Sequence, residues 1–119
     1  IFQKNMQDHM NKFDKFRNKK ILAFAKESPY CMNPMCGKDN NGDIVAAHLN
    51  FEKSKGMGTK ANDYSIAYLC SKCHIIVDEG YSISLEDKKE LMLRSFLNTI
   101  RWLFLTGRLK VDKGKKYNF

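Results

Sequence analysis

The chain predicts a small α+β domain stapled by a structural metal, and three observations lead there. Two cysteine pairs, Cys31-x4-Cys36 and Cys70-x2-Cys73, bracket the middle of the sequence. Between them lie two short apolar stretches, residues 43–49 and 64–69, separated by a polar one; this reads as strand, loop, strand. Flanking them are two longer stretches with apolar residues at helical spacing. A length of 119 residues suits one domain. Its core is small enough for a metal staple to matter.

Residues 4–27 read as an N-terminal helix. Met6, Met10, Phe13, Phe16, Leu22 and Phe24 stand near helical spacing, with Lys4, Lys12, Lys15, Arg17, Lys19 and Lys20 between them. His9 in this stretch is incidental. Residues 28–42 carry Ser28-Pro29, Asn33-Pro34, Gly37 and Asp39-Asn40-Asn41-Gly42, all turn formers, so the first cysteine pair sits in a loop. The first strand, 43–49, carries His48 near its end. A polar loop over 50–63 contains Gly56-Met57-Gly58, and the second strand follows at 64–69.

A short helix begins near Ser71 and stops at Gly80, where a left-handed residue commonly ends a helix. Ser84 is the predicted N-cap of a long helix over about 84–106, with Glu86 and Asp87 in its first turn. Leu91, Met92, Phe96, Ile100, Leu103 and Phe104 form its apolar stripe, and Gly107 is its stop. A basic tail, 107–119, carries Lys110, Lys113, Lys115 and Lys116. No repeat or linker interrupts the domain, whose core spans 28–80.

The formal charge of +8 and a pI near 9.4 point to a polyanionic partner, against the blander account of a merely soluble basic protein. The most apolar run, 100–105, is far too short to span a bilayer and contains or adjoins Arg101 and Arg108, so no membrane association is expected. Nothing reads as a secretory signal. A reducing, cytoplasmic setting favours metal binding by the thiols over disulfides. Cys31, Cys36, Cys70 and Cys73 therefore read as a closed zinc cage; unrelated buried cysteines are the alternative. A closed cage offers no open position for catalysis. Any chemistry must then come from elsewhere, and the expected place is the segment between the knuckles and just after them, with His48, Asp63, His74 and Asp78.

Strand, loop, strand and a helix opening at Cys-x-x-Cys-His resemble the HNH, or ββα-metal, nuclease motif in its zinc-stapled form. His48, the loop Gly56-Met57-Gly58-Thr59-Lys60, Asp63 and Cys70-Ser71-Lys72-Cys73-His74-x-x-x-Asp78 are more closely similar to small prophage-encoded YbcO-like nucleases. The phage recombination-enhancing nuclease Ref is more distantly similar. The motif covers about half the chain, and with the long helix the resemblance reaches roughly residue 106.

The resemblance implies a zinc-stapled ββα-metal (HNH-like) core and a metal-dependent DNA endonuclease, bacterial or phage-encoded, working in phage or prophage recombination or processing. His48 matches the general base, and an imidazole can take a proton near neutrality. His74 and Asp78, four residues apart on a helix, share a face and can hold one divalent ion, Mg²⁺ or Mn²⁺. Asp63 orients His48 or joins the metal shell, with Asn62 able to serve instead. Lys60, with Lys53 and Lys55, would approach phosphates.

Other accounts of the same residues stay open: a core or surface His48, His74 as a zinc ligand, Asp78 as a solvated carboxylate, Asp63 as a turn residue, and 52–60 as a solvated loop. One position departs from the pattern. Many HNH sites carry a metal-binding Asp or His immediately before the base, where this chain has Ala47. The second function is accordingly a non-catalytic zinc-binding, DNA-binding or recombination accessory protein. The DNA can be duplex, junction or single-stranded; no residue pattern selects among these, or sets an oligomeric state.

Overall fold

The computed structural model describes residues 16–49, 61–79 and 83–111. Its architecture is a small α+β arrangement. A short helix α1 (Lys19–Ala23) runs into a 3₁₀ turn (Phe24–Glu27), followed by strand β1 (Val45–His48), strand β2 (Ile66–Leu69), helix α2 (Ser71–Glu79) and the long helix α3 (Leu85–Leu105). Both strands and both later helices fall where the sequence predicts them. Ser84 caps α3 as expected, its hydroxyl accepting from the Asp87 N–H at 3.1 Å. At the other end Gly107 adopts φ +74°, and its N–H and that of Arg108 return to the carbonyls of Phe104 and Leu103.

The sheet has two antiparallel strands in the register Val45↔Leu69, Ala46↔Tyr68, Ala47↔Ala67 and His48↔Ile66. A pair of four-residue strands is marginal in water unless something covers it. Here α3 does so. Ile66, Ala67, Tyr68 and Leu69 are all fully buried, and Met92, Ser95, Thr99 and Leu103 form the buried face of α3. The edge of β2 remote from β1 is closed by two dedicated hydrogen bonds. The Met32 N–H donates to the Tyr68 carbonyl at 2.9 Å, and the Tyr68 N–H donates to Thr99 Oγ1 at 3.1 Å. No β2 edge group at Tyr68 is left for another chain to pair with. The Tyr68 hydroxyl donates to the Ile21 carbonyl, which ties α1 to the sheet. Burial pushes that phenol's pKa well up.

The predicted stripe of α3 needs one correction. Phe104 is half exposed, while the deepest positions include the polar Ser95 and Thr99. Small side chains let helix and strand approach closely. Their hydroxyls are satisfied within the helix, donating to the carbonyls of Leu91 and Ser95 at 2.7 Å each.

The N-terminal element also differs from expectation. A continuous helix over 4–27 is not formed: its described portion is five helical residues and a 3₁₀ turn, and residues 4–15 lie outside the described residues. The reason is tertiary. Residues 16–18 are drawn out as an extended strap against residues 61–63. The Phe16 N–H donates to Asn62 Oδ1 at 2.7 Å, the Asn18 N–H to Asp63 Oδ2 at 2.7 Å, and the Asp63 N–H to the Phe16 carbonyl at 3.0 Å. Asn18, at φ −149°, then caps α1 by accepting from the Ile21 N–H. The residues buried from this element are Ile21 and Ala25. Among the described residues no helix is long and apolar enough to cross a membrane.

Candidate metal centre and the adjoining His48 cleft

The first knuckle is built by Asn33. Its Oδ1 accepts from the Met35 N–H at 3.0 Å, while its carbonyl accepts from the N–H groups of Cys36 and Gly37 at 2.9 and 3.1 Å. Gly37 takes φ +63°, a left-handed conformation that favours glycine, and returns the chain so that the Cys31 N–H reaches the Lys38 carbonyl at 2.8 Å. The second knuckle is the first turn of α2. Asp43 fastens this turn, accepting from Ser71 N–H and Oγ at 3.3 and 3.0 Å. Those bonds, the hydroxyl's first, hold the Asp43 carboxyl below its ordinary range.

Together the knuckles bring the sulfurs of Cys31, Cys36, Cys70 and Cys73 within 4.8 Å of one another. A tetrahedral zinc with Zn–S of ~2.3 Å sets its sulfurs about 3.8 Å apart; Cys36 and Cys70 stand at 3.9 Å. Three of the cysteines are buried. Two N–H groups already point at sulfur: Cys70 N–H at Cys31 Sγ and Asn33 Nδ2 at Cys73 Sγ, both 3.4 Å. Burial pushes the thiols of Cys31 and Cys73 up; burial acts on Cys70 too, but hydrogen bonds from Cys73 and the neighbouring thiols bring it down overall. Four thiols in this geometry can hold a metal ion such as zinc, and a closed, soft donor set of this kind fits that ion. Asn33 was a mere turn former in the sequence; nothing in the linear order marks it as a partner of sulfur.

His74 is not part of this cage. Among the described residues the cluster that could hold a metal ion consists of the four cysteines alone. His74 instead meets Asp78 along α2, Nε2 to Oδ2 at 2.8 Å, with side chains 37% and 40% exposed. Their shared helical face is as the spacing predicts.

His48 closes β1. Along the strand Ala47 and Leu49 turn into the core, while Ala46 and His48 face the other way. Its Nε2 lies 2.9 Å from Asp63 Oδ1, with side chains 13% and 5% exposed. Asp63 is further bound by the Asn18 N–H, and Arg17 stands 3.7 Å away. Burial opposes ionisation of Asp63, but the bonds from His48 and Asn18 and the nearby positive charges outweigh it, so its pKa is lowered. An ionised carboxylate only accepts. The His48 Nε2 therefore carries the proton of this bond, and in the neutral ring the lone pair lies on Nδ1. Asn62, the other candidate for this place, is committed elsewhere, to the Phe16 N–H and the Tyr64 hydroxyl.

His48, His74 and Asp78 line one cleft of about 460 Å³, together with Leu22, Lys26 and Val45. A smaller cleft of about 230 Å³ also reaches His48 and Asp78, and its other walls include Lys88, Lys89 and Met92. The sequence-predicted site residues of β1 and α2 thus converge. Lys26, Lys88 and Lys89 join them without having been singled out, because their contribution arises only when three elements meet. The predicted phosphate contacts Lys53, Lys55 and Lys60 lie outside the described residues. Compared with known protein families, with characterised proteins and with solved structures, the chain gives no match.

Proposed function

We propose that this chain is a metal-dependent DNA endonuclease of the HNH, or ββα-metal, type, acting in phage or prophage DNA recombination or processing. The observation that carries the reading is the meeting of His48, His74 and Asp78 on one cleft, with His48 tied from behind by the buried Asp63. The order of antiparallel strand, strand and helix, with a cysteine cage at its base, supports it as well.

In this reading His48 Nδ1 takes a proton from water as the water oxygen attacks phosphorus. Asp63 keeps the ring in the tautomer that can do so and stabilises the imidazolium that forms. The P–O bond to the departing sugar breaks, and that oxygen leaves with a proton from solvent. His74 and Asp78 would hold the divalent ion, and one imidazole nitrogen with one carboxylate oxygen suits Mg²⁺ or Mn²⁺ whose remaining positions are filled by water and phosphate. When bound, such an ion supplies Lewis-acid stabilisation of charge on the phosphate.

One observation favours the second reading, a zinc-stapled DNA-binding accessory protein without catalysis. Ala47 is buried against the core, opposite Ala67, so the position that often supplies a further metal ligand faces away from the cleft. The test is direct. Zinc-loaded protein is incubated with supercoiled plasmid and with circular single-stranded DNA, with Mg²⁺, with Mn²⁺ or with neither, beside His48→Ala. Metal-dependent nicking that the variant loses is the expected result. Binding without cleavage in both proteins would leave the accessory reading.

A further inference from the structure

We infer that the phosphodiester backbone of a nucleic acid strand crosses this site from Lys26 on one side of His48 to Lys88 and Lys89 on the other, so that the strand continues in both directions from the reacting phosphate. The inference deepens the proposed function and rests on its assignment of nucleic acid to the His48 cleft.

Two clefts meet at the same two side chains. His48 and Asp78 belong to both; Lys26, from the 3₁₀ turn after α1, lines the larger, and Lys88 and Lys89, from the start of α3, line the smaller. Three nearby carboxylates are engaged elsewhere, while Glu86 and Asp87 share the first turn of α3 with these lysines but form no ion pair among the described residues. Asp78 is bound by His74, Glu27 by Arg108 at 2.9 Å, and Glu90 by Arg94 at 2.9 Å. Among the described residues none of the three lysines has a carboxylate partner within 4.0 Å. Three ammonium groups outside any ion pair with a described carboxylate thus line the two clefts, beside Asp78, in a chain of net charge +8, and such an excess of positive charge attracts an anionic ligand.

A small anionic metabolite would fill one cleft and leave the other lysines without a role. A polymer with a charge at every unit accounts for cations on both sides of His48. The arrangement also bears on the mode of attack. A site that gripped a chain end would be walled on one side, whereas here cationic walls continue past the imidazole in both directions, which suits an internal phosphodiester.

Binding of a fluorescent 20-nucleotide single strand is measured by anisotropy across a salt series, without added Mg²⁺ or Mn²⁺, for zinc-loaded wild type, Lys26→Gln, the double variant Lys88→Gln/Lys89→Gln, and Lys72→Gln. Lys72 is two residues before His74 on α2, about 200° around the helix, and serves as the control. Each phosphate contact contributes about 0.7 to the log–log salt slope on a single strand. The expected slope therefore falls by about 0.7 for Lys26→Gln and about 1.4 for the double variant, with weaker affinity at low salt, and holds for Lys72→Gln. Zinc content and thermal melting report that each variant is folded.

Variants indistinguishable from Lys72→Gln, beside a wild type that binds and nicks, would overturn the track and leave the nuclease reading standing. Slopes that fall as expected, in a protein that never nicks circular DNA, would support the track and overturn the nuclease. A wild type that does not bind nucleic acid at all would overturn both.

Discussion

The cysteine cage and the His48 cleft both draw on the sheet and α2, yet they are opposite kinds of site. The cage is largely buried, with Cys36 exposed, made of four like donors, and closed on itself. The cleft presents two half-exposed side chains of mixed chemistry beside an imidazole whose own partner is buried. A closed set of soft donors converts metal affinity into folding energy. A sparse, hard set left open to solvent holds an ion loosely and leaves positions for exchange. A metal held in the cage would therefore serve stability, and under the proposed function the open cleft would serve chemistry.

The widest separation between the two should come from the cage. Cys70→Ser, or stripping the metal, removes a share of folding energy of about 10–16 kcal/mol in small zinc domains. Circular dichroism should show loss of the cooperative fold, and a variant that melts like wild type would mean the four sulfurs hold no metal. His48→Ala should do the reverse. Under the proposed function nicking falls by about 10²–10⁴-fold, while zinc content stays at about one per chain; equal nicking by variant and wild type would remove His48 as the base.

Thr99→Val probes the frame that carries both regions. It leaves the buried Tyr68 N–H without its acceptor, at a cost of about 1–3 kcal/mol read by urea unfolding. Zinc stoichiometry should not change.

The finest effect lies in pH. Asp63 has a lowered pKa in the folded chain, so its contribution to stability is complete above its unfolded value of about 3.9 and is lost as pH falls through the folded value. The stability difference between wild type and Asp63→Asn should therefore shrink from pH 6 to pH 3 in paired thermal melts. Pairing the proteins cancels the cage's own proton dependence. A difference that is constant over that range would show that the Asp63 carboxylate is not held by these bonds.

Much of this was legible in linear order, because local chemistry writes local structure. The turn formers around Asn33-Pro34 and Gly37, the Ser84 cap and the Gly107 stop each act within a few residues, and each lies where its residue type requires. The four-residue interval between His74 and Asp78 is likewise a property of one helix. The N-terminal stretch misled for the complementary reason. Its apolar and basic periodicity is helical, but the backbone N–H groups of Phe16 and Asn18 find better acceptors in Asn62 and Asp63, more than forty residues away. No propensity of residues 16–18 encodes that bargain.

Residue identity alone specified the donors: four thiols in two short turns, an imidazole at a strand end, and a histidine–aspartate pair on a helix. Distance and burial were settled by folding. The covering of β2 by α3 draws the knuckles together, the strap at 16–18 binds Asp63 beside His48, and the 3₁₀ turn after α1 and the start of α3 bring lysines to the two clefts that share His48. Spacing along a chain governs only neighbours a turn or two apart, whereas a site assembled from distant segments exists only once apolar burial has fixed them against one another.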